Sequence, residues 1–126
     1  VDQHAGLAAL AGPQEPVEKM RTTYIRRRRI VLDALDSMGV PYGMPQGGQF
    51  VFADIGVTGM DCVDLAKRIL REQHVLLYPG SAFSPQANAD RYLRITFLQP
   101  EEILREGLDR VKITIDRIKA GLSQQI

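Results

Sequence analysis

The sequence predicts an α/β fold of the α+β kind, a small sheet with helices packed largely on one face. Three observations carry that expectation. "VLLYPG" and "RYLRITF", within residues 75–97, are apolar strand-like runs separated by a Pro-Gly turn and a polar loop. After Pro100, residues Leu104, Leu108, Val111, Ile115, Ile118 and Leu122 recur at alternating fours and threes, the period of an amphipathic helix. Between Pro16 and Gly39 runs a second helical pattern, more than twenty residues long by its start and stop signals.

Taken in order, "QHAGLAALAG" (3–12) is a short segment of good helix propensity that stops at Gly12-Pro13. It is too short to be stable alone, so it either docks on this chain or belongs against a surface elsewhere. Pro16 opens the long helix. Val17, Met20, Tyr24, Val31, Leu35 and Met38 form its apolar stripe, with a gap at Arg27 or Arg28. Gly39 and Pro41 end it. A helix of that length often runs past one domain's edge into another.

Residues 42–56 read as a loop containing Gly47-Gly48, then a strand from Gln49 to Ile55. Asp61 is the expected N-cap of a helix over 62–74, with Asp64 in its first turn. Its predicted buried stripe is Val63, Ala66, Ile69 and Leu70. The element order is therefore helix, strand, helix, strand, strand, helix.

Composition bounds the function. At 126 residues the chain is one domain in length, 44% hydrophobic and 25% charged, as in ordinary globular proteins. A net charge of +1 supplies no field to recruit nucleic acid or an anionic membrane. One cysteine, Cys62, cannot close an internal disulfide, and a reducing cytoplasm is the simplest setting. With His4 and His74 it makes no metal-ligand spacing. No apolar stretch reaches the roughly 18 residues that span a bilayer. A start at Val1, without an initiator Met or a signal-like apolar region, suggests a piece of something longer.

Two groups of residues invite a functional reading. "RRRR" (26–29) suggests phosphate binding, but at roughly 100° per residue four successive side chains spread over about 300° of a helix. They form no single stripe, and at least one must lay its stem along the apolar face. A solvated, partly packed helix face accounts for them; a stand-alone nucleic-acid module is the rival. The chain has no phosphate loop, nucleophile elbow or metal cluster. Its lysines, Lys19, Lys67, Lys112 and Lys119, all fall in amphipathic helix sequence and read as surface residues.

Arg94 is harder to dismiss. In "YLRITF" the alternation puts Leu93, Ile95 and Phe97 on one face and Tyr92, Arg94 and Thr96 on the other. Periodicity alone leaves two readings open. One is an arginine on the wet face of a half-covered sheet. The other is a rigid fork held by a strand to grip a carboxylate through two parallel hydrogen bonds.

These motifs taken together resemble a known family. "VLLYPGSAF", "YLRITF" and "EEILREGLDRV", preceded in order by "QHAGLAAL", "MRTTYIRRRRIVLDAL" and "PQGGQFVFAD", resemble the C-terminal small domain of fold-type I pyridoxal-phosphate enzymes, the class I/II aminotransferases. The likeness runs from about Gln3 to about Leu122. It implies a mainly antiparallel sheet of three to four strands beside a long N-terminal interdomain helix. Residues 1–15 would be a remnant of the large domain or a linker helix, and 16–126 the small domain.

The resemblance further implies that Arg94 binds the substrate's α-carboxylate. Gly80 and Phe83 would lie in a loop at the active-site mouth that moves when the small domain closes. Serine stands at 84 and histidine at 74 where the family often has glycine. The family's Schiff-base lysine and its other cofactor-binding residues lie in a large domain upstream. The whole protein would thus use pyridoxal 5'-phosphate, act on an amino acid and a 2-oxo acid, and form a homodimer. This chain alone would be inactive, bind no cofactor or metal, and self-associate through exposed Leu7, Leu10 and Met20. Related lyases share the domain, as do regulators in which the same arginine senses an effector.

Overall fold

A computed structural model describes residues 1–86 and 88–124. The chain forms helices α1 (Asp2–Ala11) and α2 (Glu15–Met38), strand β1 (Phe50–Asp54), helix α3 (Cys62–Gln73), strands β2 (Tyr78–Pro79) and β3 (Tyr92–Thr96), and helix α4 (Glu101–Ser123). Short 3-10 turns occupy Ile55–Thr58, Gly80–Ala82 and Ala89–Arg91. The sheet is antiparallel with order β1-β3-β2, so β3 is central.

One face of the sheet is dry. Val51 and Ala53 of β1 and Leu93 and Ile95 of β3 point into a core shared with Val31, Leu35 and Met38 of α2. Leu65 and Ile69 of α3 and Leu104, Leu108, Val111, Ile115 and Ile118 of α4 complete it. Phe97, just past β3, is buried and meets Tyr24 edge-on at 6.5 Å. The helices cover this face alone.

The long helix is buried only in its second half. Its stripe is covered from Ile30 onward, whereas Val17 and Met20 remain 57% and 52% exposed. Helix α1 buries no residue. Among the described residues no layer lies against these N-terminal apolar positions. Gly39 ends α2 in a left-handed conformation, φ 62°, and the Val40 N–H closes back on the Leu35 carbonyl. Two terminal carbonyls find donors on α4: Lys112 Nζ reaches Ser37 O at 3.1 Å and Lys119 Nζ reaches Met38 O at 2.9 Å. Both lysines are half-buried rather than free at the surface, because the orphan carbonyls of a helix C-terminus attract cations.

Asp61 caps α3 as its position predicts, accepting from the N–H groups of Val63 at 2.7 Å and Asp64 at 3.4 Å. The buried stripe of α3 is Cys62, Leu65, Ala66 and Ile69, which corrects the sequence expectation. Leu70 is 43% exposed and Val63 only half-buried. The reason is that Cys62 packs as a small apolar residue and sets the three-four period one position earlier. The apolar run at 75–80 pairs only at Tyr78 and Pro79, since proline has no N–H to continue a ladder. In α4, Leu122 lies exposed beyond the core, while Thr114 is fully buried with its hydroxyl 3.2 Å from Glu72 Oε2.

Candidate functional site

The other face of the sheet bears no helix. Alternation places Phe50, Phe52 and Asp54 of β1 there, with Tyr92, Arg94 and Thr96 of β3. The antiparallel register then sets Phe52 and Tyr78 directly beside Arg94, one on each side. Phe50 stands across from Thr96, one diagonal step away.

Around the guanidinium these side chains form a collar. Arg94 Cζ lies 4.1 Å from the Phe83 ring centroid, 4.9 Å from that of Phe50 and 5.5 Å from that of Tyr78. The rings also brace one another edge to face. Phe52 meets Phe50 at 5.7 Å and Phe83 at 6.3 Å, and Tyr78 meets Phe83 at 6.2 Å. No acidic residue pairs with Arg94 among the described residues, and its buried Nε has no hydrogen-bond partner.

Phe83 arrives from the loop after β2. The Gly80–Ala82 turn is closed by the Phe83 N–H donating to Gly80 O at 2.9 Å. Gly80 is there for close approach rather than for an unusual φ. A Cβ at Gly80 would sit 2.5 Å from Ala89 O and 2.8 Å from Tyr92 O. Ser81 Oγ and Cys62 Sγ, 3.4 Å apart, pin the same turn to the start of α3. Ser84 uses its hydroxyl within the loop, accepting from the Gln86 N–H at 3.2 Å.

Beside this cluster, Asp54 accepts from Arg91 Nε at 2.7 Å and from the Gly56 N–H at 2.9 Å. The Arg91 guanidinium holds the Asp54 carboxyl below its ordinary range, aided by the Gly56 amide and opposed by partial burial. The pair fastens the entry of β3 to the exit of β1.

The arginines at 26–29 diverge, as helical geometry demands. Arg26 pairs with Glu101 at 3.1 Å, Arg27 donates to Leu98 O at 2.6 Å, Arg28 to Pro45 O at 2.9 Å, and Arg29 pairs with Asp33 at 2.9 Å. Arg27 also lies over the Tyr24 ring at 5.9 Å, its stem against the apolar face. A groove of about 560 Å³ runs along this helix, but its lining mixes Asp33 and Glu101 with the arginines. Arg94 does not line it, and it offers no single sign of charge.

Arg94, Phe83 and Gly80, the residues singled out in the sequence, thus share one side of the sheet and its adjoining loop. Phe50, Phe52 and Tyr78 were missed. Their signal was two phenylalanines at alternate positions of "FVFAD", both on the face opposite Val51 and Ala53. Among the described residues no helix is long and apolar enough to cross a membrane, and no cluster of metal-binding side chains occurs.

Known proteins resemble this chain along most of its length. A family model described as "Aminotransferase class I and II" matches residues 1–111. "Aromatic-amino-acid aminotransferase 2" of Thermococcus litoralis is 34% identical over 112 residues, covering 87% of this chain and 28% of that protein. An "Aspartate aminotransferase" of Musicola paradisiaca is 33% identical over 125 residues, covering 98% of this chain and 31% of that protein. The crystal structure of an aromatic aminotransferase from Pyrococcus horikoshii superposes with a TM-score of 0.84 at 33% identity, over 93% of this chain and 31% of that one. The chain therefore spans 28% to 31% of the length of these relatives.

Proposed function

The chain belongs to the class I and II aminotransferase family, and on that premise we propose that it is the C-terminal small domain of a pyridoxal-phosphate-dependent aminotransferase. In that protein Arg94 binds the α-carboxylate of the amino-acid substrate, and the domain closes over the active site with Gly80 and Phe83 at its mouth. Residues 16–126 are the small domain, and residues 1–15 belong with the large domain or the linker. Helix α1, which buries no residue against the rest of the described chain, supports that division. The whole protein acts as a homodimer on an amino acid and a 2-oxo acid.

One observation carries the reading. A partly desolvated guanidinium stands on the open face of a sheet with no carboxylate paired to it among the described residues. Taking a cation out of water is unfavourable unless something compensates, and a substrate carboxylate would do so with two charge-assisted hydrogen bonds. The strand backbone fixes the direction of the fork, which orients the substrate's amino group.

The residues of this chain do not themselves fit the cofactor. Its lysines all lie on helices α2, α3 and α4, and Lys112 and Lys119 are tied to the end of α2. None is on the face that bears Arg94. Pyridoxal phosphate, bound by the rest of the protein, supplies the electron sink for amino-group exchange; this chain binds, orients and excludes water.

The test is Arg94→Ala and Arg94→Lys in the full-length protein, assayed against a panel of amino acids. Arg94→Ala should raise KM and lower kcat/KM by about 2–4 kcal/mol, the scale of a lost charged hydrogen-bond pair. Lysine should restore little, because a point charge cannot reproduce a bidentate fork. Unchanged kinetics in Arg94→Ala would overturn the assignment. Absence of turnover in a protein that still binds amino acids through Arg94 would mark an effector sensor instead.

A further inference from the structure

An arginine with no anionic partner among the described residues needs some other reason to hold one orientation. On this face the reason is aromatic. Three rings lie within cation–π distance of Arg94 Cζ, the nearest being Phe83 at 4.1 Å. Hydrophobic burial does not account for their placement, since Phe83 and Tyr78 are each 46% exposed and Phe50 is 38% exposed. What these rings have in common is the guanidinium.

Phe83 differs from the other two in its origin. Phe50 and Tyr78 belong to strands, but Phe83 stands on a turn that the fold fixes at several points. The missing Cβ of Gly80 lets that turn press against the carbonyls of Ala89 and Tyr92, the segment that leads into β3. The Phe83 N–H closes the turn on Gly80 O, and Ser81 meets Cys62 at the start of α3. A residue five positions after Tyr78 is thereby returned onto the arginine beside Tyr78 in the sheet.

We infer that Phe83 is a positioning residue for the carboxylate grip, acting through Arg94 and not on the substrate directly. Stacked on the guanidinium, its ring holds the plane of the fork while the site is empty, so less orientational freedom is lost when a carboxylate arrives. The position of the loop at 80–83 and the affinity of Arg94 for a carboxylate are therefore coupled. This inference rests on Arg94 being the carboxylate ligand, and it extends that reading by naming what holds the ligand in place.

A double-mutant cycle in the full-length protein separates the two claims. The variants are Phe83→Leu, Phe83→Tyr, Arg94→Ala and the double variant Phe83→Leu/Arg94→Ala. The readouts are KM and kcat for the amino acid that turns over fastest, and competitive inhibition by propionate as a bare carboxylate probe. Phe83→Leu should weaken propionate and raise KM by about three- to thirtyfold, with kcat changed by less than about twofold. Phe83→Tyr should stay within about twofold of the parent, because the ring is what acts. In the Arg94→Ala background, Phe83→Leu should have no further effect on propionate. A silent Phe83→Leu, an effect confined to kcat, or losses that multiply in the double variant would each overturn the inference while leaving Arg94 as the ligand. A silent Arg94→Ala would overturn the underlying reading, and this one with it.

Discussion

Replacing Gly80 by alanine places a methyl carbon 2.5 Å from Ala89 O and 2.8 Å from Tyr92 O. Ordinary carbon–oxygen contacts begin near 3.3 Å, so the deficits are about 0.8 and 0.5 Å. Both obstacles are backbone, and a third contact, Tyr92 Cβ at 3.0 Å, closes the remaining side. No flexible side chain can yield, so either the loop or the entry of β3 must move. Overpacking of this kind costs about 1–3 kcal/mol. With a urea slope of about 2 kcal/mol/M, the unfolding midpoint should fall by about 1 M at unchanged slope. The chain contains no tryptophan, so far-UV circular dichroism is the appropriate signal. A midpoint within about 0.2 M of the parent would show that the turn yields freely, and the argument that Gly80 fixes Phe83 would fail.

Three other substitutions test the packing and electrostatics. Gly107 lies inside α4 with nothing within 4 Å of an added Cβ, so Gly107→Ala should stabilise by about 0.5–1 kcal/mol, read as a higher urea midpoint. His74 closes α3 at φ 57°, a conformation that costs an L-residue about 1–2 kcal/mol; His74→Gly should raise the thermal midpoint by a few degrees, and a fall would refute that strain. Asp54→Asn should cost about 1 kcal/mol at neutral pH, a modest figure because Arg91 is mostly exposed. Since Arg91 lowers the Asp54 carboxyl in the folded chain, its contribution is complete above its unfolded value of about 3.9 and is lost as pH falls through the lower folded value. Parent and variant urea midpoints should therefore converge as pH falls below that unfolded value, and a constant gap would contradict the pairing.

Periodicity made the helices legible, together with their caps at Asp61 and Gly39 and the two faces of β3. Each depends on residues a few positions apart. The stripe of α3 was shifted because Cys62 was not counted among its apolar residues, although a buried thiol packs like one. The run at 75–77 looked like strand, but pairing begins only at Tyr78, where β3 lies alongside. At the site, alternation set Arg94 opposite the core, whereas its aromatic collar was hidden. That collar exists because the β1–β3 register brings Phe52 beside Arg94 and because Gly80 turns Phe83 back over the sheet. Both are tertiary facts with no short-range signature. Sequence resemblance supplied the carboxylate reading of Arg94, and geometry added the rings around it, where no ionic partner occurs among the described residues.

The most direct measurement compares, in the full-length protein, an amino acid with the amine that lacks only its α-carboxyl group. If Arg94 grips that group, the parent should prefer the amino acid strongly, and Arg94→Ala should lose about 2–4 kcal/mol of that preference, roughly 30- to 1,000-fold in the ratio of kcat/KM values. Turnover of the amine itself should change little. A preference for the amino acid that survives intact in Arg94→Ala would place the carboxylate elsewhere and contradict the account.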